Sequence, residues 1–298
     1  MSLTDSKVMG RTDLRGQVAI VTGAGQGIGR ASALHLAQCG ARVLVNSRLA
    51  PGQTAHEGRA AQVVAQILAA GGQAQANTLD VAQDDAGEQM VRQALAAWGR
   101  LDMVHANAAL GQHSLFAQTG REELHRIMRV GFGATMDLFH AAWPHMKAQG
   151  GGRLLATTSS AGRFGGAGLS AYGASKGAIE ALVRTLAQEG RRHGIVCNAI
   201  SPYAQTQMTE AHLKPHWAQA LPAQAIAPLV AWLLAPDCPV SGEVLVSGGL
   251  HHARAWSVET PARAGEPGLA LWSELQGLSG RPQADAQQAF MAFMEGFQ

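Results

Sequence analysis

Seven short, almost wholly apolar runs alternate with six longer amphipathic stretches along this chain, and that alternation constrains the fold more than any other feature. The strand-like runs are Val18–Thr22, Arg42–Asn46, Ala74–Leu79, Asp102–Ala106, Arg153–Thr158, Val196–Ile200 and Glu243–Ser247. Between them, Ile28–Gln38, Thr54–Ala70, Asp84–Trp98, Arg121–Met146, Ala171–Arg192 and Ala223–Ala235 carry apolar residues at three- and four-residue spacing, the helical period. Strands joined through helices need crossover connections, which make a parallel sheet. Runs that are apolar on both sides of the pleat belong to a sheet covered on both faces. The expected architecture is α/β: a doubly wound, three-layer sandwich around a seven-stranded parallel sheet.

Composition narrows the functional classes. Of 298 residues, 47% are hydrophobic and 15% charged, too apolar for a disordered chain and sufficient for one large core. Lys and Arg number 23 against 21 Asp and Glu, and no basic run exceeds Arg191-Arg192-His193, which argues against a nucleic-acid partner. Cys39, Cys197 and Cys238 are odd in number and far apart, giving neither a disulfide framework nor a zinc spacing, and no other metal site is expected. His251-His252 reads as a surface turn, since adjacent side chains diverge and no third ligand follows. The N-terminal residues are polar and no apolar run has the length of a membrane span, so a cytoplasmic protein without membrane contact is expected. Residues 1–249 form the main domain in this reading. The tail, 250–298, is broken by Pro and Gly into short apolar-faced segments, Leu269–Leu278 and Ala284–Phe297, too short to be stable helices alone. They are expected to dock on the main domain or on a neighbouring subunit.

The first strand runs into Thr22-Gly23-Ala24-Gly25-Gln26-Gly27-Ile28-Gly29 and straight on into a helix. Glycines here permit a tight turn and close backbone approach, and the helix start offers unpaired N–H groups to phosphates. In this position the loop is read as a nucleotide cradle. Tyr172 and Lys176 stand four residues apart and share a helix face. An ammonium beside a phenol favours the phenolate, so Tyr172 is expected to have a lowered pKa and to exchange a proton with a ketone or alcohol oxygen.

These motifs together resemble the short-chain dehydrogenase/reductase family, with its Rossmann-type fold, over about Leu14 to Gly249. The loop has the family's Thr-Gly-x-x-x-Gly-x-Gly spacing. Asp80-Val81 ends the third strand, Asn107-Ala108-Ala109 the fourth, and Pro202 follows the sixth. Ser159 precedes Tyr172-Gly-Ala-Ser-Lys176 by the usual 13 residues. Ala141–Lys147, Gly190–Cys197, Ala227–Trp232 and the long tail are similar to one branch: the 3-hydroxyacyl-CoA dehydrogenase part of peroxisomal multifunctional enzyme type 2 and its bacterial relatives. The resemblance implies a nicotinamide-dependent oxidoreductase of ketones or secondary alcohols, such as 3-hydroxyacyl thioesters or steroids. It assigns Tyr172 as acid/base, Ser159 to the substrate oxygen and Lys176 to the nicotinamide ribose. The cofactor is assigned to Gly23, Gln26, Gly27, Ile28, Gly29, Ser47, Arg48, Asp80, Val81, Asn107, Ala108, Pro202 and Thr206, together with Tyr172 and Lys176. Homodimers or homotetramers, paired through Arg121–Met146 and Ala171–Arg192, are the family's usual state. Gln112 and His113 follow the fourth strand at the carboxyl edge, where a solvent-facing loop is expected and a substrate contact is the alternative; Gln205–Leu221, with Met208, Leu213 and Trp217, resembles the family's substrate lid, and its aromatic and Met content suits packing equally.

Two positions depart from the family. Gly131 stands where an Asn commonly supports a water leading to the lysine, and Ala109 replaces a glycine. A degenerate protein that binds or senses the nucleotide without turning it over is the alternative reading. The second strand ends in Val45-Asn46-Ser47-Arg48, with Ser47 at the place where NAD users carry an acid. Removal of that charge, and a guanidinium next to it, point to NADP(H) over NAD(H).

Overall fold

The computed structural model describes residues 12–111, 113–210, 213–264, 266 and 268–295. The N-terminal residues 1–11, Gln112, and the end of the second tail segment, 296–298, lie outside the described residues. From the first strand onward the elements are β1 (Val18–Val21), α1 (Gly27–Gln38), β2 (Arg42–Asn46), α2 (Arg59–Ala69), β3 (Gln73–Asn77), α3 (Ala86–Trp98), β4 (Met103–Ala106), α4 (Arg121–Met128), α5 (Ala134–Gln149), β5 (Gly152–Thr157), α6 (Ala161–Phe164), α7 (Ser170–Gly190), β6 (Ile195–Pro202), α8 (Pro215–Ala220), α9 (Ala227–Leu234), β7 (Val244–Gly248) and β8 (His251–Ala255).

The sheet is a mostly parallel one in the order β3-β2-β1-β4-β5-β6-β7-β8, and the expected parallel pairings hold throughout β1 to β7. β1, β4 and most of β5 are buried residue after residue, which is why their sequences show no polar alternation. Eight strands replace the seven expected. The eighth is joined to β7 by only Gly249 and Leu250, a connection too short for a crossover, so β8 must run antiparallel. Both connecting residues have positive φ, 54° and 68°, as a two-residue primed turn requires, and Leu250 is the only described non-glycine residue with positive φ. His251 and His252 therefore lie on an exposed edge strand rather than in a turn.

The expected Ala223–Ala235 helix opens with a 3-10 turn, Ala223–Ile226, before α9, and two other helices depart further from the periodicity reading. The stretch expected over Thr54–Ala70 begins at Arg59; the Glu57 carboxylate accepts from the Thr54 N–H at 3.0 Å and hydroxyl at 2.8 Å, closing a turn ahead of the helix. The stretch expected over Arg121–Met146 is interrupted by one π-helical turn, Arg129–Gly133. Gly131 lies within it, against α7: a Cβ there would stand 2.6 Å from Ser175 Oγ. The contact leaves no room for a side chain there unless Ser175 moves.

The chain divides into two compact units, the second beginning at Arg254. Within the second unit, Val258–Glu259 pairs antiparallel with Arg281–Pro282, and the helices are Leu269–Gln276 and Ala286–Met294. The Asp285 side chain caps the latter by accepting from Gln288 N–H at 2.8 Å. Among the described residues no helix is long and apolar enough to cross a membrane.

Candidate active site

The chain leaves β1 toward β2 on one side and later returns to place β4 on the other. At such a switch point the connections diverge and leave a crevice at the carboxyl ends of the strands. A cavity of about 840 Å³ lies there. Gly23, Gln26, Gly27 and Ile28 line it, and α1 starts without a side-chain cap, so its first N–H groups are available to an anion. Gly29 does not line the cavity. It lies beneath the loop, where a Cβ would come within 2.4 Å of the Gly23 carbonyl oxygen and 2.6 Å of Asn107 Nδ2.

At one end the cavity is lined by Ser47, Arg48, Asp80 and Val81. Asp80 Oδ1 accepts from Ala82 N–H at 2.9 Å, which fixes the turn after β3. Arg59, at the first position of α2, also lines this end and donates to the Gln26 side-chain oxygen. Gly25 is wedged between it and Ser47: a Cβ at Gly25 would meet Ser47 Oγ at 2.4 Å and Arg59 Cβ at 2.7 Å. Sequence reasoning missed Arg59 because it placed the start of the helix five residues early, at Thr54, which turned a helix-start residue into an interior one.

At the other end stand Ser159, Tyr172 and Lys176. Ser159 follows β5, and Tyr172 and Lys176 lie one turn apart on α7. The Ser159 and Tyr172 side chains are hydrogen-bonded. Lys176 is buried, 1% exposed, with Nζ donating to the Thr157 carbonyl at 2.8 Å and standing 5.7 Å from the centre of the Tyr172 ring. Burial pushes the lysine down to about 8. It also pushes Tyr172 up from its ordinary value, with the Ser159 hydrogen bond acting weakly the other way. This reverses the expectation that Lys176 lowers the phenol. Burial is the cause of the rise.

The lysine makes stability depend on pH. Between about 8 and 10.5 the unfolded chain holds a proton that the folded chain has released. The unfolded state therefore binds more protons in that window, and stability rises with pH across it. Lys176→Met should flatten this rise, which urea titrations at pH 8 and pH 9.5 would reveal; an unchanged slope would mean that Lys176 is charged throughout.

Asn107, Ala108, Ala109, Pro202 and Thr206 line the cavity between the two ends, as do His113, Met208 and Leu213. Trp217, half-exposed on α8, does not. Arg126 also lines the cavity and is ion-paired to Glu123 at 2.8 Å. It was hidden in the sequence inside what read as one unbroken helix. Among the described residues no group of three or more His, Cys, Asp or Glu is placed to hold a metal ion.

A glycine loop at β1, a buried lysine one turn from a tyrosine, and a serine bonded to that tyrosine define a class. Residues 17–216 match the short chain dehydrogenase family, and the chain belongs to that family. It is an oxidoreductase acting on CH–OH groups. The resemblance to the multifunctional-enzyme branch also holds: the chain is 40% identical over 235 residues to peroxisomal multifunctional enzyme type 2 of Mus musculus, covering 78% of this chain but 32% of that protein. The chain thus spans about a third of that relative's length. A short-chain type dehydrogenase/reductase of Mycobacterium tuberculosis is 35% identical and is matched over 89% of this chain and 95% of its own. Among solved structures, a 7 alpha-hydroxysteroid dehydrogenase complexed with NADH and 7-oxo glycochenodeoxycholic acid superposes with a TM-score of 0.73 at 28% identity, covering 80% of this chain and 95% of that one.

Proposed function

We propose that this protein transfers a hydride between a nicotinamide dinucleotide, NADP(H) in preference to NAD(H), and a ketone or secondary alcohol. The observation that carries this reading is the Ser159–Tyr172–Lys176 cluster at one end of a cavity whose middle is the glycine loop and whose other end holds Ser47, Arg48 and Arg59. The cavity's residues fit such a cofactor: open N–H groups at the start of α1 suit a pyrophosphate, and hydroxyl and guanidinium groups suit a 2′-phosphate. The cofactor, when bound, supplies or accepts the hydride. The protein's own groups do the rest. Ser159 orients the substrate oxygen, and Tyr172 gives that oxygen a proton in reduction or takes one in oxidation. A buried phenol that holds its proton is suited to the donor's task in reduction. Lys176, anchored on the Thr157 carbonyl, presents its ammonium to the ribose.

Substrates of the 3-hydroxyacyl thioester kind are proposed from the family resemblance, and steroids from the 7-oxo bile acid in the related hydroxysteroid dehydrogenase structure. The site roles given to Gly23, Gln26, Gly27, Ile28, Asp80, Val81, Asn107, Ala108, Pro202 and Thr206 belong to the same reading, and a cytoplasmic setting suits a chain with no disulfide among its described residues. The assembly proposed is a homodimer or homotetramer. Residues 1–249 are proposed as the dinucleotide-binding and catalytic domain and 250–298 as a C-terminal extension packed on it or on a neighbouring subunit. The exposed Leu269, Trp272 and Phe290 support a docking role for the tail. Light scattering at micromolar concentration should return the mass of two or four chains; a monomer's mass would remove the oligomer from this account.

A further inference from the structure

From the cavity lining into the sheet runs a chain of hydrogen bonds whose buried end, His105, the hydride chemistry does not use. His105 lies in β4 with none of its surface exposed, two residues before Asn107 and on the same face of the strand. Its Nε2 lies 3.0 Å from Thr157 Oγ1 on the neighbouring strand β5. Thr157 Oγ1 donates to Asn107 Oδ1 at 3.2 Å, and Asn107 Nδ2 donates to the Thr22 carbonyl, at the start of the glycine loop, at 3.1 Å. The carbonyl of the same Thr157 accepts from Lys176 Nζ at 2.8 Å. Thr157 thus serves Asn107 with its hydroxyl and Lys176 with its backbone.

The direction of each bond follows from donor capacity. The Thr22 carbonyl can only accept, so the Asn107 amide turns Nδ2 toward it and leaves Oδ1 facing Thr157. The hydroxyl has one proton, and it goes to that Oδ1. Its contact with His105 is therefore made through a lone pair, and Nε2 must carry the hydrogen. The ring is neutral, because burial holds it down to about 3, and Nδ1 is left as a buried acceptor with no partner among the described residues. An apolar side chain at this position would avoid that cost. What the imidazole adds is the N–H it gives to Thr157.

We propose that His105 is a positioning residue for the dinucleotide site: by donating Nε2–H to Thr157 it fixes the rotamer that orients Asn107 against the glycine loop and seats the Thr157 carbonyl under Lys176. The proposal rests on the reading that the cavity takes a nicotinamide dinucleotide.

His105→Leu removes the donor, Thr157→Val removes the hydroxyl while keeping its shape, and His105→Gln returns an amide N–H close to the place of Nε2. In fluorescence titrations with NADPH, the Leu and Val variants should each raise Kd about three- to tenfold, the effect of one lost hydrogen bond. The double variant should be no weaker than the worse single, because one chain of bonds is broken either way. The Gln variant should return to within about twofold of the unmodified protein, and turnover at saturating NADPH should change less than Kd does. Thr157→Val keeps the test open if the leucine variant does not fold. Unchanged Kd values with a lowered Tm, additive losses in the double variant, or no rescue by Gln would each overturn the proposal while leaving the dinucleotide reading intact. Failure of the unmodified protein to bind either NADPH or NADH would overturn both.

Discussion

Replacing Tyr172 with phenylalanine should lower turnover by about 10²–10⁴-fold, the usual worth of a positioned acid–base group, while changing the cofactor's Kd by only a few-fold. The ring keeps its place on α7 and the packing around it; only the hydroxyl shared with Ser159 is lost. Because burial holds the phenol in its protonated form, the unmodified protein should reduce ketones well at neutral pH and oxidise alcohols faster as pH rises, when the base form becomes available. Steady-state rates in both directions check this. Wild-type-like turnover in the phenylalanine variant would remove Tyr172 from the chemistry.

The second large effect concerns the cofactor. NADPH should bind about ten- to a hundredfold more tightly than NADH, since charge-assisted hydrogen bonds to the extra phosphate contribute roughly 1.5–3 kcal/mol. Ser47 and Arg48 line the cavity where an acidic residue would repel that phosphate, and Arg59 adds a second guanidinium at the same end. Exchanging Ser47 for Asp and Arg48 for Leu should reverse the preference by restoring an acceptor for the ribose hydroxyls and deleting one cation. Retention of Arg59 would leave some affinity for NADPH in that variant, so the reversal should be smaller than the original preference. Tighter binding of NADH by the unmodified protein would show that the end of β2 had been misread.

Much of the framework was legible in the sequence because both of its periods are strong. Most of the parallel strands and their crossovers followed from apolar runs, although β3 is Gln-Ala-Gln-Ala-Asn and partly exposed at the end of the sheet, and the glycine loop and the Tyr172–Lys176 pair followed from spacing. What was missed depends on three-dimensional relations that spacing does not carry. β8 went unread because His251, His252, Ala253 and Arg254 are exposed on an edge strand and give no apolar alternation, and because Leu250 is not a residue that announces positive φ. The π-helical turn at Gly131 went unread because the apolar spacing continues through it. The pKa of Tyr172 shifts opposite to the expectation because spacing supplies the lysine's nearness but not the burial that raises the phenol. Arg59 and His105 become informative only when the start of α2 and the register of β4 against β5 are known.

The measurement that bears most directly on the whole account is steady-state hydride transfer by the full chain against a panel of 3-ketoacyl thioesters, steroid ketones and aromatic ketones, with NADPH and NADH in parallel. The account predicts consumption of NADPH with at least one class, slower consumption of NADH, and loss of both in the Tyr172→Phe variant. Binding of NADPH without turnover on any ketone in the panel would contradict it and identify a nucleotide-binding protein that has lost its chemistry.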